Sequence, residues 1–187
     1  MIHTARHAIL SEIPPFGADP DELRIVIETP RASRNKYKYE PEWDCVQLST
    51  VLPQGMIFPY DFGFIPSTRG DDGDPLDVLI LMDSSVVPGC VVRARLIGVI
   101  EAEQKENGSW TRNDRLIAVA THAQTYETAK NLGDLRPHLL AEIEQFFQGY
   151  NKLRGRKFRA IATAGPHKAR NLVDAGVKQF KKARRKK

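Results

Sequence analysis

Seven residues, Asp71-Asp72-Gly73-Asp74-Pro75-Leu76-Asp77, carry four carboxylates and run directly into the apolar segment Val78-Leu79-Ile80-Leu81-Met82. Four such groups cannot be buried together without protons or cations to offset their repulsion. Gly73 and Pro75 turn the backbone tightly, and the apolar run reads as a buried strand that anchors one end of the turn. Carboxylates brought together this way are hard oxygen donors suited to Mg²⁺ or Mn²⁺. The plainer reading is a solvated acidic turn between two strands. A calcium loop counted from Asp72 needs Gly at its sixth place and Glu at its twelfth, where this chain has Asp77 and Asp83.

The rest of the chain is read around that loop. Leu23–Glu28, Lys36–Glu40, Cys45–Leu48, Val78–Met82, Cys90–Glu101, Leu116–Ala120 and Phe158–Ala162 have strand character. Residues 1–20 read as an irregular arm, and 53–66, rich in Gly, Pro and aromatics, as a loop. The polar stretch Ala102–Asp114 reads as a hairpin loop around Asn107-Gly108. Leu135, Leu139, Leu140, Ile143, Phe146, Phe147 and Tyr150 recur at helical spacing, which predicts a helix over 135–150 capped by Asp134. Pro166 opens a second helix, with Ala169, Leu172, Val173, Val177 and Phe180 as its apolar stripe. The expected class is α+β, mainly β: a small five-stranded, OB-like barrel with further strands and two helices outside. The 187 residues read as one domain.

Charge and cysteine content narrow the function classes. The net charge of +5 comes from the end of the chain, where seven of the last ten residues are Lys or Arg. The basic balance thus belongs to a tail over about 178–187, read as solvated and frayed, and not to a surface. No apolar run approaches the roughly 18 residues of a membrane span, and Met1–His7 lacks a secretory signal's apolar region. Cys45 and Cys90 form no CxxC pair and are expected as buried free thiols of a cytoplasmic protein. His3 and His7 alone among the histidines have metal-ligand spacing. A nucleic-acid platform built on Tyr37, Tyr39, Phe58 and Phe62 ranks last, since such aromatics ordinarily pack inside.

Several stretches, in order, resemble the family I soluble inorganic pyrophosphatases. These are Ile27-Glu28-Thr29-Pro30, Ser33-Arg34-Asn35-Lys36-Tyr37, the loop Phe58 to Pro66, Asp72-Gly73-Asp74-Pro75-Leu76-Asp77, Gly98-Val99, Leu116–Val119 and Phe146-Phe147 with Tyr150. The resemblance implies a five-stranded barrel enzyme that hydrolyses pyrophosphate, or a related small phosphate, with several Mg²⁺ ions. It implies Asp72 and Asp77 as metal ligands, Glu28 serving substrate-borne metals, and Asp74 orienting or deprotonating the attacking water. Lys36, Arg115 and Tyr150 would contact phosphate oxygens, Arg115 in place of a family lysine. It also implies a homo-oligomer, a hexamer in bacterial members.

The departures fall at seven positions. Lys38 stands for a glutamate, Thr50 for an arginine, Phe58 and Phe62 for tyrosines, Gln104 and Asn113 for aspartates, and Asn151 for a lysine. Asp114 neighbours Asn113 but belongs to the opposite strand face. Fewer carboxylates predict weaker gathering of the substrate-side metals. The alternative is a non-catalytic relative that keeps one metal or phosphate site.

Overall fold

A computed structural model describes residues 9–106 and 108–185. Five strands close into a ring: β1 (Leu23–Thr29), β4 (Asp61–Ile65), β5 (Leu76–Leu81), β8 (Arg115–Ala120) and β6 (Val91–Glu106), which returns to β1. All neighbours are antiparallel except β5 and β8. β6 also pairs outside the ring with β7 (Ser109–Arg112) and β9 (Lys157–Ala164), while β2 (Asn35–Glu40) and β3 (Cys45–Val51) form a separate hairpin. The expected barrel is present. Its interior is filled by β-branched and large apolar side chains such as Ile25, Ile27, Ile65, Leu79, Ile97 and Ile117, all fully buried.

Two close approaches shape the wall near the acidic loop. The β1–β4 register shifts between Ile27 and Thr29, so Glu28 is the extra residue of a bulge, a device that re-aims a side chain. Opposite it, a Cβ on Gly63 would lie 2.0 Å from the Val26 carbonyl oxygen; only glycine lets these strands meet.

α1 spans Leu139–Leu153 and α2 spans Pro166–Arg184. α1 buries Leu139, Ile143, Phe147 and Asn151, a stripe at four-residue spacing that packs Phe147 on Phe158 of β9. The helix starts later than the periodicity predicts. Pro137 disfavours helical backbone at Arg136, and Asp134 instead accepts from the Lys130 and Asn131 amides to close a short 3₁₀ turn. α2 begins at Pro166 as expected and buries Ala169, Val173 and Gly176.

Other expectations are corrected. Residues 53–66 contain β4, whose five residues are all buried; its Phe-Gly-Phe centre is strand, not loop. The insertion 102–114 is mostly two paired strands, β6 and β7, with Gly108 at φ 87° between them; Asn107 lies outside the described residues. The basic tail is helical through Arg184, which pairs with Glu12 at 3.2 Å. Cys45 and Cys90 are free but only half-buried. His3 and His7 lie outside the described residues. The arm packs on the body: Arg24 donates to the Pro14 carbonyl, and Ser67 to that of Ile13. No helix among the described residues is long and apolar enough to cross a membrane.

Candidate active site

The acidic loop is held at both ends by backbone. Gly70 N–H donates to the Asp74 carbonyl at 2.7 Å, and the Asp74 amide donates to Asp72 Oδ1 at 3.1 Å. Gly73 supplies the positive φ, 90°, that this turn requires. Leu76 N–H donates to the Thr68 hydroxyl, and Leu76 is pressed under Gly176 of α2, where a Cβ would come within 2.8 Å of its side chain. Barrel and α2 together thus fix where the carboxylates point.

They face an open cavity of about 1070 Å³. Asp72, Asp74 and Asp77 line it with Glu28, Lys36, Arg115 and Tyr150, so every site residue expected from the sequence is brought to one place. Lys36 Nζ lies 3.2 Å from Glu28 Oε2 and 4.2 Å from the centre of the Phe62 ring. Arg115 Nη1 lies 2.6 Å from Asp77 Oδ2, and its guanidinium stacks over Phe147. Lys38 Nζ lies 3.0 Å from Asp74 Oδ2. Asp72 differs from these three carboxylates: among the described residues no cation lies within ion-pair distance of it. Burial first, then the charge of Asp77, pushes its pKa up to about 6. The residue is nonetheless exposed toward the cavity. Tyr150 is raised above the ordinary tyrosine value chiefly by burial, with Arg154, Arg156 and Arg115 acting against it.

The departures explain themselves geometrically. Gln104 lines the cavity as a neutral amide. The Asn113 side-chain oxygen accepts from Arg115, and Asp114 Oδ1 is taken by the Ala102 amide and Arg112. Asn151 is turned inward, donating to the Phe147 carbonyl at 2.9 Å, and does not line the cavity. Thr50 sits opposite Lys36 in the β2–β3 register, also off the cavity. Phe58, Phe62 and Tyr39 are at most 4% exposed, which leaves those three no face on which a base could stack; Tyr37 is half-buried, its hydroxyl accepting from the Asn35 side-chain amide at 3.1 Å.

Sequence reasoning missed Arg154 and Arg156. Both line the cavity from the turn between α1 and β9; Arg154 Nη1 donates to the Tyr150 hydroxyl at 3.2 Å, and Arg156 pairs with Glu106 at 2.5 Å. Their one available signal was position, four and six residues after Tyr150 at a helix end.

The donor set fits a divalent metal at one place only. Asp72 has no ion-pair partner among the described residues and Asp77 has one, Arg115 at Oδ2, so the two carboxylates together keep net negative charge for a divalent metal; Mg²⁺ commonly binds through one or two carboxylates plus waters and substrate phosphates. On the substrate side the fit fails. Glu28 has Oε2 on Lys36 and Oε1 on the Tyr39 amide at 2.7 Å, Lys38 covers Asp74, and Gln104 and Asn113 are neutral. Among the described residues no three Asp, Glu, His or Cys side chains converge as a metal cluster.

A five-stranded barrel whose rim sets carboxylates against lysines and arginines over one open cavity defines a protein that handles a small, dense anion together with a cation. Residues 25–181 match the family model described as inorganic pyrophosphatase. The inorganic pyrophosphatase of a Nostoc species is 36% identical over 172 residues, covering 92% of this chain and 99% of that protein. The crystal structure of the inorganic pyrophosphatase from Thermus thermophilus superposes with a TM-score of 0.86 at 33% identity, covering 93% of this chain and 99% of that one. That from Neisseria gonorrhoeae gives 0.82 at 26%, covering 92% and 99%. The chain belongs to the family I soluble inorganic pyrophosphatases.

Proposed function

We propose that this protein hydrolyses inorganic pyrophosphate to two phosphates, with Mg²⁺, or Mn²⁺ in its place, held by Asp72 and Asp77. The observation that carries the reading is the meeting of that carboxylate pair with Lys36, Arg115 and Tyr150 around one cavity. When bound, the metal supplies Lewis acidity, acidifying a water and offsetting charge on the phosphates. Asp74 orients the attacking water and accepts its proton. Lys36 and Arg115 contact phosphate oxygens and neutralise the charge that builds on the leaving phosphate, while the Tyr150 hydroxyl donates to a phosphate oxygen. Glu28 fixes Lys36 through the bulge in β1 in place of a metal. The whole chain acts as one catalytic domain, in the cytoplasm, within a homo-oligomer, a hexamer after the habit of bacterial family members. The non-catalytic alternative is not favoured, since the relatives with which the chain aligns along most of its length are pyrophosphatases.

The test is phosphate release from pyrophosphate over a Mg²⁺ series at several pH values. Asp72 must lose its proton to bind a cation, and with an apo pKa of about 6 it does so over the neutral range. Mg²⁺ affinity is therefore expected to be flat above pH 7 and to fall as pH drops through 6, approaching tenfold per unit below it. Calorimetric titration of Mg²⁺ at pH 5, 6 and 7.5 checks this. Absence of phosphate release at saturating Mg²⁺ and Mn²⁺ would sink the hydrolytic reading.

A further inference from the structure

We propose that Lys38 is the resident cation of this cavity, standing where the substrate side lacks metal ligands, and that with Arg154 it grips the phosphate groups of a pyrophosphate-class anion directly. This rests on the reading of the cavity as a pyrophosphate site. Lys36 and Lys38 alternate along β2 and both reach the cavity. Lys36 is tied down beside buried Glu28 with 14% of its side chain exposed, whereas Lys38 and Asp74 are 56% and 59% exposed. An ion pair so open is weakly held. An ammonium has three donors, of which Asp74 takes one, so an entering phosphate can share it. Burial works against the Lys38 charge, but the hydrogen bond and charge of Asp74, with the charges of Glu28 and Asp77, outweigh it and hold the group above the ordinary lysine range. It therefore stays a cation among carboxylates, as a metal ion would.

Arg154 supplies the second grip. Its guanidinium lies 5.4 Å from the centre of the Tyr150 ring, and Nη1 donates to the hydroxyl, while no carboxylate lies within ion-pair distance among the described residues. A guanidinium that is placed and uncompensated suits bidentate contact with phosphate. It makes good the lysine position lost to inward-turned Asn151. Neither side chain transfers a proton. Water oxygen bonds to one phosphorus while Asp74 takes one of its protons, the bridging P–O bond breaks, and that proton passes from Asp74 to the leaving phosphate, the other staying on the phosphate that forms, while Lys38 and Arg154 remain charged throughout.

The experiment binds methylenediphosphonate, which cannot be hydrolysed, to the full chain. In EDTA the wild type is expected to bind it measurably by calorimetry, Lys38→Gln at least tenfold more weakly, and Arg154→Gln several-fold more weakly. With Mn²⁺ counted by electron paramagnetic resonance in the presence of the analogue, Lys38→Glu should hold one ion more per chain than the wild type. No metal-free binding by the wild type, or equal affinities across the three proteins, overturns the proposal. So does an equal Mn²⁺ count in wild type and a Lys38→Glu variant with native circular dichroism. If that variant does not fold, the Gln variants decide. Analogue binding as described without any phosphate release would uphold these roles and reject hydrolysis, so the two failures are distinguishable.

Discussion

Replacing Asp77 by Asn is expected to lower Mg²⁺ affinity at least tenfold and kcat/KM by on the order of 10²-fold or more, the scale of losing one charge-stabilising group at a reacting centre. Asp77 serves two partners at once. It is half of the carboxylate pair, and its Oδ2 faces Arg115, whose side chain is 5% exposed. The amide keeps the shape but abandons a buried guanidinium to three oxygen acceptors on Asn113 and Asp114. Breaking a fully buried pair costs ~3–5 kcal/mol; with Asp77 25% exposed, about 2–3 kcal/mol is expected here. The charge of Asp77 is also one cause of the high Asp72 pKa, so that pKa should fall in the variant. Metal calorimetry, phosphate release and urea unfolding check affinity, rate and stability separately, and the pH dependence of the calorimetry checks the Asp72 pKa. Unchanged Mg²⁺ affinity would remove Asp77 from the metal site.

Gly63→Ala is expected to be the most damaging small substitution on the barrel wall. Its Cβ would sit 2.0 Å from the Val26 oxygen, 2.9 Å from the Val26 carbonyl carbon and 3.0 Å from Ile27 Cα. All three are backbone atoms, so no side-chain rotation relieves the clash and β1 must move away from β4. A loss above ~4 kcal/mol, or failure to fold, is the expected scale for strain of this kind. Because the displaced segment ends in the bulge that carries Glu28, any folded fraction should also lose the Lys36 placement and with it pyrophosphate affinity. Gly165→Ala is the control: nothing lies within 4 Å of that Cβ, and an alanine cap there should cost no more than about 1 kcal/mol. Equal urea midpoints for the two variants would show that the strands slide apart easily.

The barrel was legible because its strands are apolar or alternating runs, and the acidic loop because four carboxylates in one turn have few explanations. What escaped had physical reasons. β4 hides behind Gly and Pro signals that usually mark loops, since its glycine is there for strand contact. The start of α1 follows Pro137, which overrides an apolar period extending back to Leu135. The Lys38–Asp74 and Arg115–Asp77 pairs join residues 36 or more positions apart, which no local pattern reports. Arg154 and Arg156 are ordinary residues at a helix end until the fold swings that turn over the cavity.

The ring closes through β1 and the first half of β6, Leu23 to Val26 against Val91 to Ala94. A chain emerging from its N-terminus therefore makes β1 long before the strand that covers its second edge. The β5–β8 pair is parallel and must wait for the whole β6–β7 hairpin between them. Contacts of such sequence separation charge their loop entropy before returning any binding energy. This barrel should accordingly assemble slowly and nearly all at once, with β6 as the segment whose arrival commits the chain.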